Sequence, residues 1–471
     1  MKRLMTGLGL LILLTSLVPI NSHADEEDER HQYYYVLVDR FQNSNEVTEE
    51  GVNRDDPNAF HGGDLIGLQD RVDHIAELGI TDVVLSPLFA SEHYTGSPVF
   101  NFEQIQSTFG SASDVQDMVQ AFHDQDINVI VQVPFNSVSS NSPLRSEDWV
   151  SENGEVDLTQ DGATDYFIEL LQRWGMDYNV DGFYVPEADQ LPQSFLESVT
   201  AEVDRFWLGE VNEISNADME SFKGLGFDRI VNGSFHEKAT DYFYDIETDS
   251  SLLLGSNLKN REDVVHYMDS YMTDRFTRSM EESGLHPITR WKMALTYMYT
   301  TPNEPWLYQG TANPTDGVVE DGSHHDMMNF LAGDEQLNKH IEQLSSINEN
   351  FDSIRDGDMN VLHDEDDFIV YERVLDDERI IITINNSPGF RHMELDHLED
   401  NQELRGLIRD DLVRQNDDGS YTVSLEREST NVYNVREDTG ANWLLISIFG
   451  SVMGVFVVFA IIIYRKNAKE R

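Results

Sequence analysis

Glu210 is a carboxylate near the end of the strand-like run Phe206–Val211. A carboxyl group in apolar surroundings keeps its proton to a higher pH and can donate it to a leaving group. Cleavage of a glycosidic bond by that route needs a second carboxylate, acting as nucleophile or base. The candidates are the acidic residues that follow other strand-like runs, namely Glu187, Asp189 and Asp269. Alternation along a strand points Glu187 to the side opposite residue 186, but this rule weakens near the end of a strand, so the three candidates stay open.

Strand-like and helix-like segments alternate over residues 25–349. Apolar residues at helical spacing, such as Val115, Met118 and Phe122, precede the β-favouring run 127–133, and this order repeats along the chain. Repeated units with continuously apolar strands predict an α/β fold whose parallel sheet is covered on both faces. Their number and the length of the segment predict a (β/α)8 TIM barrel, with its chemistry at the carboxyl ends of the strands.

The pattern changes after about residue 350. Short β-favouring runs, such as 368–373 and 380–385, are separated by turn residues, and no long helix follows before residue 443. These features predict a small antiparallel β-domain over residues 350–435. The polar segment 436–442 is then expected to be a tether.

Both ends of the chain carry patterns typical of membrane targeting. Residues 1–24 combine a basic start, an apolar middle and a small-residue end, as in a cleaved signal peptide. Residues 443–464 contain no charged side chain and are long enough to cross a bilayer as a helix. The basic residues of 465–471 then lie in the cytoplasm by the positive-inside rule. The sequence therefore predicts a single-pass cell-membrane protein with an extracellular N-terminal part and the membrane as a partner.

The composition is strongly acidic, with 87 acidic against 32 basic residues and a net charge of -55. Such a charge argues against a nucleic-acid partner, which needs a basic face. We interpret it as a solvated acidic surface that keeps the protein soluble. The chain has no cysteine, so disulfides and thiolate metal sites are excluded.

An ordered series of short motifs runs from about residue 33 to residue 433. It includes Val38-Asp-Arg-Phe41, Phe60-His-Gly-Gly-Asp64, Leu85-Ser-Pro87 and Tyr371-Glu-Arg-Val374. In order and spacing this series resembles glycoside hydrolase family 13, the α-amylase family. The resemblance implies the same barrel and C-terminal β-domain, and α-1,4-glucans as the substrate class.

The sequence departs from that family at the positions that do the chemistry. Glu210 stands at the position of the family's acid/base. Pro186 stands at the position of the nucleophile, and Met272 at that of the third carboxylate. Tyr184 replaces the arginine that holds the nucleophile ionised. One remaining carboxylate predicts a site that does not hydrolyse glycosides.

The resemblance also implies ligand-binding residues. Sugar rings are expected to stack on aromatic side chains, for which the candidates are Tyr94, Tyr184, Trp207 and Tyr271. Calcium is expected in the first βα loop and at a second position, with the candidate ligands Asn43, Asn45, Gly62, Asp64, Asn136 and Asp157. The alternative for the first loop is a set of Asx turns with Asp64 as a helix N-cap.

Three functions remain open at this point. The departures favour a catalytically inactive homologue on the outer face of the cell membrane, a binding or partner module for an α-glucan or a membrane protein. The first alternative is an active α-glucan hydrolase or transferase that uses Glu210 and a relocated carboxylate. The second is a surface glucan-binding protein.

Overall fold

The computed structural model describes residues 30–469 except 49, 213–215, 246–249, 255–262, 321, 439 and 441–442. The predicted signal peptide at 1–24 lies outside the described residues, as does part of the predicted tether at 436–442.

Eight parallel strands close into a barrel. In chain order the strands of the described residues are β1 (Tyr33–Val36), β2 (Asp82–Leu85), β3 (Phe89–Ser91), β4 (Val99–Ile105), β5 (Asn128–Gln132), β6 (Gly182–Val185), β7 (Phe206–Val211), β8 (Arg229–Asn232), β9 (Val264–Tyr267), β10 (Glu304–Tyr308), β11 (Asp358–Glu365), β12 (Phe368–Leu375), β13 (Glu378–Asn385), β14 (Arg391–Leu395), β15 (Gln402–Gly406), β16 (Leu412–Arg414), β17 (Tyr421–Leu425) and β18 (Ser429–Glu437). The barrel order is β1-β10-β9-β8-β7-β6-β5-β2, which confirms the predicted TIM barrel.

In chain order, helices alternate with the barrel strands, and the last two lie before and after the β-domain. They are α1 (Leu65–Gln69), α2 (Val72–Glu77), α3 (Ala112–His123), α4 (Asp161–Asp177), α5 (Gln193–Glu202), α6 (Asn216–Gly224), α7 (Phe235–Tyr244), α8 (Ser251–Leu254), α9 (Phe276–Glu282), α10 (Pro287–Thr300), α11 (Glu335–Asn350), α12 (Asp352–Asp356) and α13 (Trp443–Lys469). Helix α3 shows why they form where they do. It begins at a capping box between Ser111 and Asp114, and it buries Val115, Met118 and Phe122 against the barrel.

Aromatic side chains fill much of the barrel interior. The ring of Tyr35 lies parallel to that of Trp306, with centroids 5.7 Å apart, and to that of Tyr271, with centroids 5.0 Å apart. Tyr184 and Tyr267 belong to the same buried cluster. The barrel interior is therefore a packed core. The rings nearest the carboxyl ends of the strands form the floor of any site at that end.

A buried ion-pair network closes the opposite end, where the barrel strands begin. Glu304 accepts hydrogen bonds from Tyr33 Oη at 3.0 Å, Arg229 Nε at 3.1 Å and the backbone N–H of His31 at 2.9 Å. The His31 ring lies 2.6 Å from a carboxylate oxygen of Asp82. Every carboxylate oxygen of Glu304 thus has a partner, as a buried charge requires.

The C-terminal part confirms the predicted small antiparallel β-domain. Six strands form a sheet in the order β11-β12-β13-β18-β15-β16, and β14 pairs with β17. The two layers enclose their own apolar cluster, which includes Phe368, Ile381, Tyr421 and Tyr433. The last strand ends at Glu437, two residues beyond the predicted boundary.

Helix α13 corrects the predictions about the membrane. Its side chains are described at 447–462 and at 465. In the described part of the chain, no helix combines the length and the apolar character that crossing a bilayer requires. The predicted transmembrane helix at 443–464 is therefore wrong. So are the membrane as a partner and the single-pass location with an extracellular N-terminal part and a cytoplasmic C-terminus.

Candidate functional site

A cavity of about 320 Å³ opens at the carboxyl ends of the barrel strands. Side chains from six barrel strands, or from the loops that follow them, converge on it, among them Gln132, Asn136, Pro186, Glu187, Glu210, Tyr271, Met272 and His325. The cavity holds Glu210 and the two substituted positions, and it lies where barrel folds place their chemistry.

Glu210 lies in the cavity floor with only 8% of its surface exposed. Tyr184 donates a hydrogen bond to Oε2 at 2.7 Å, and Tyr267 donates one to Oε1 at 2.9 Å. Burial raises the pKa of Glu210, and the two tyrosine hydroxyls partly offset that rise because they stabilise the charged form. Glu210 is therefore oriented through both oxygens and is biased towards the protonated acid.

Glu187 shares the cavity with Glu210, which differs from the expectation drawn from strand alternation. Strand β6 ends at Val185, and Glu187 has a left-handed backbone with φ of 49°. Both Pro186 and Glu187 therefore line the cavity. The conformation costs about 1 kcal/mol for a residue with a Cβ, and such strain is concentrated at functional sites. The charge of Glu187 also contributes to the raised pKa of Glu210.

The two other candidate carboxylates have structural partners. Asp269 is buried, lies 3.6 Å from Arg275 Nη1 and accepts a hydrogen bond from the backbone N–H of Phe276 at 3.3 Å. Asp189 is exposed and accepts the backbone N–H of Asn212 at 3.3 Å. Neither lines the cavity, so Glu187 is the relocated carboxylate that the geometry favours.

The substituted positions make one wall of the cavity apolar. Pro186 is half-buried, and Met272 lies at the rim with 60% of its surface exposed. Neither side chain can ionise or bind a proton, so the family's nucleophile and third carboxylate have no chemical replacement at their own positions.

Two hydrogen-bonded chains fix the residues around Glu210. Tyr35 Oη donates to Gln132 Oε1 at 2.7 Å, and Gln132 Nε2 donates to Tyr271 Oη at 3.0 Å. His325 Nε2 donates to the carbonyl oxygen of Tyr271 at 2.5 Å, so its Nδ1 accepts the hydroxyl of Tyr94 at 2.8 Å. Burial lowers the pKa of His325 to about 3, and the ring is neutral at physiological pH.

The predicted sugar-stacking residues separate into two groups. Tyr271 lines the cavity, Tyr184 lies beneath Glu210, and Tyr94 supports His325 from behind. The structure does not bring Trp207 to the site. Its ring packs on Phe183 outside the barrel strands, and its Nε1 donates to the carbonyl of Val203 at 3.1 Å.

Sequence reasoning missed Tyr267 and His325. Tyr267 lies at the end of β9, five residues before Met272, so its place near the end of a strand was a usable signal. His325 follows a long loop after β10, and no spacing in the sequence links it to Tyr94.

The predicted calcium ligands of the first loop do not fit a metal ion well. Asp64 acts as a helix N-cap: Oδ1 accepts the N–H of Gly67 at 2.7 Å, and Oδ2 accepts both the N–H and the hydroxyl of Ser44 at 2.9 Å. Asn43 Oδ1 accepts the N–H of Asn45 at 2.6 Å, and Gly62 packs against the Asn43 side chain. Asp64 is the one carboxylate among these four candidate ligands, and both of its oxygens are engaged, so the set has little charge to offer Ca²⁺.

The second predicted calcium position has the same character. Asp157 is exposed, and its carboxylate accepts Thr159 Oγ1 at 2.6 Å and Gln160 Nε2 at 3.1 Å. Asn136 is exposed at the cavity rim. Within the described residues no three His, Asp or Glu side chains are grouped to hold a metal ion. Calcium binding stays a prediction that these contacts do not favour.

Two stretches of the chain match known domain families. Residues 35–173 match the α-amylase catalytic domain, and residues 357–433 match the α-amylase C-terminal domain. The chain is also similar to the intracellular maltogenic amylase of Bacillus subtilis (strain 168), with 21% identity over 78% of this chain and 70% of that protein. It is 22% identical to the beta/alpha-amylase of Paenibacillus polymyxa over 86% of its own length, and spans only 38% of that longer relative.

Solved structures extend the similarity to the whole fold. An α-amylase from Anoxybacillus superposes with a TM-score of 0.83 at 28% identity, over 88% of this chain and 99% of that one. An α-amylase from Geobacillus thermoleovorans, solved with acarbose, gives a TM-score of 0.80 at 28% identity, over 87% and 99% of the two chains. The likeness covers both the barrel and the β-domain.

Proposed function

We propose that this chain, a divergent member of the α-amylase family, is a glycoside hydrolase that acts on α-1,4-glucans in the cavity around Glu210. One observation carries the proposal: the cavity is lined by two carboxylates, Glu210 and Glu187, and burial favours the protonated form of the first. That is the asymmetry that glycoside hydrolysis requires. The amylase and maltogenic-amylase names of the relatives support the substrate class.

In the proposed reaction Glu210 donates its proton to the glycosidic oxygen as the bond to C1 breaks. Glu187 removes a proton from a water molecule whose oxygen attacks C1, so one bond is formed, one is broken and both protons are accounted for. Because water rather than the protein attacks, the product is released with inverted anomeric configuration. Tyr271 and Pro186 both line the cavity, where a bound sugar would contact them.

The second candidate function is α-glucan binding without turnover. It is favoured by the apolar replacements Pro186 and Met272, and by the two tyrosine hydroxyls that occupy both oxygens of Glu210. Under this reading the cavity retains the shape and stacking surface of the family but performs no chemistry.

The experiment that separates the two is turnover of maltoheptaose by the purified full chain, with binding followed by calorimetry. We expect Glu187→Gln to lower kcat by about 10²-fold, since a well-placed base contributes that much and solvent can partly replace a half-exposed one. The control Glu197→Gln removes an exposed carboxylate of α5 that does not line the cavity, and it should leave kcat unchanged. Binding without turnover in the unmodified protein would support the second candidate and overturn the first. If the unmodified protein neither binds nor hydrolyses maltoheptaose, both candidate functions are overturned.

Tyr184 gives a prediction about pH. Its hydroxyl lowers the pKa of Glu210 by hydrogen bonding to the carboxylate, so Tyr184→Phe should raise that pKa further. A general acid must be protonated, so the alkaline limb of the kcat/KM profile should move to higher pH. Tyr271→Phe is the matched control, because its hydroxyl bonds to Gln132 instead. A limb that moves equally in both variants, or in neither, would contradict the role of Tyr184.

A further inference from the structure

A second cavity lies away from the barrel mouth, where the barrel helices meet the β-domain. Its volume is about 410 Å³. Lys292 of α10, Lys339 of α11 and Arg409 of the loop after β15 all line it. Basic side chains from both domains therefore line the cavity.

Three cations in one cavity are unusual for this chain, which has 32 basic residues against 87 acidic ones. The single carboxylate in the lining, Glu428, is already neutralised, because it forms a 2.9 Å ion pair with the fully buried Arg290. The lining therefore carries a net positive charge on a protein that is otherwise strongly negative.

The cations are incompletely satisfied by the protein. Lys292 Nζ donates to the neutral amide oxygen of Gln336 at 3.3 Å. Arg409 has only long contacts to carboxylates, 3.9 Å to Asp411 and 3.5 Å to Glu426. Burial lowers the pKa of Lys292 because its ammonium group has lost part of its water. An anion in the cavity would supply the missing partner for these groups.

We propose that this cavity binds a small phosphate-bearing anion between the barrel and the β-domain. A phosphate group presents several acceptor oxygens, which suits a guanidinium fork and two ammonium groups arriving from different sides. The hydroxyl and amide side chains of the lining, such as Gln343, offer further polar contacts. Because the ligand would contact both domains, its binding would also stabilise their junction by mass action.

The test is calorimetric titration of the full chain, at low ionic strength, with inorganic phosphate and separately with glucose 1-phosphate. We expect saturable binding, which Lys292→Gln and Arg409→Gln each weaken at least about tenfold. Added salt should weaken it as well, because screening reduces the attraction between charges. The control Arg173→Gln removes an exposed cation far from the cavity and should not change the affinity. All three sites are at least partly exposed, and an unchanged Tm without phosphate will verify that each variant is folded.

The outcomes decide both the site and the ligand. Tighter binding of glucose 1-phosphate supports a phosphate ester as the ligand, whereas equal or tighter binding of inorganic phosphate supports the free ion. No binding of either, or binding that the two cavity variants leave unchanged, overturns the proposal. An equal loss in Arg173→Gln also overturns it, because the attraction would then be a general property of the surface.

Discussion

Replacing Glu210 by glutamine is expected to lower kcat for maltooligosaccharides by about 10⁴-fold, the upper range for loss of a positioned general acid. Glutamine has nearly the same shape: its amide oxygen can accept one tyrosine hydroxyl and its amide nitrogen can donate to the oxygen of the other, so the cavity should keep its form. What it lacks is the proton that burial retains on Glu210. Because that residue is almost inaccessible to solvent, water cannot easily replace it as a proton donor.

The measurement is steady-state turnover of maltoheptaose together with calorimetric binding. The expected signature is a fall in kcat with little change in affinity, which indicates a loss confined to the transition state. Glu202→Gln, on the exposed face of α5, is the control and should behave like the unmodified protein. A Glu210→Gln variant that retains more than about a tenth of the activity would show that the acid lies elsewhere.

The second large effect concerns stability. We expect Arg229→Met to lower the free energy of unfolding by about 3–5 kcal/mol, because it leaves the buried carboxylate of Glu304 without its cation. Glu304 lies 3.1 Å from Arg229 Nε, and both are nearly inaccessible. The measurement is urea denaturation of the purified chain followed by fluorescence.

The loss should depend on pH in a defined direction. Burial raises the pKa of Glu304 and Arg229 lowers it, so the variant raises that pKa further. A carboxyl whose folded-state pKa is raised costs stability as pH rises through that value. The deficit should therefore be larger at about pH 8 than at about pH 5.

The control for this variant is Arg173→Met. Arg173 forms an exposed pair with Glu103 at 2.7 Å, with both side chains nearly half exposed. Such pairs contribute about 0–1 kcal/mol. Equal losses of unfolding free energy in the two variants would contradict the prediction, because the buried pair would then contribute no more stability than the exposed one.

The barrel and the β-domain were predictable from the sequence because their signals are local. The spacing of Val115, Met118 and Phe122 already defines the buried face of α3, and a change of period near residue 350 marks the second domain. The position of Glu210 near the end of an apolar strand was equally local. These features depend on residues a few positions apart.

The details of the candidate site depend on geometry that no local pattern contains. Glu187 reaches the cavity because its backbone is left-handed, which the alternation rule for strands does not anticipate. Trp207 is a different case: it lies three residues from Glu210 on one strand, so alternation places the two side chains on opposite faces, and this local signal was overlooked. The predictions of a transmembrane helix and of a membrane location were wrong for another reason. They followed from composition, and no helix in the described ranges meets the length and hydropathy they required.

The predicted loss of activity rested on Pro186 and Met272, which stand where the family has carboxylates. A motif does not show which other acidic side chains lie in the same cavity. The relatives named as amylases and the shared cavity of Glu210 and Glu187 favour the alternative with a relocated carboxylate. The predicted inactivity itself stays a prediction until turnover is measured.

The two ends of the barrel have different roles: one stabilises the fold and the other holds the candidate site. Substitutions at the mouth should therefore be tolerated more easily. Arg229 and Glu304 hold the strands together where they begin, whereas Glu210 lies near the end of its strand. Exchanging an ionisable side chain at the mouth for proline, methionine or tyrosine removes groups that are costly to bury, so it need not weaken the fold. A barrel built in this way can lose, move or regain its reactive groups while remaining folded, which makes it a suitable scaffold for installing new chemistry at the mouth.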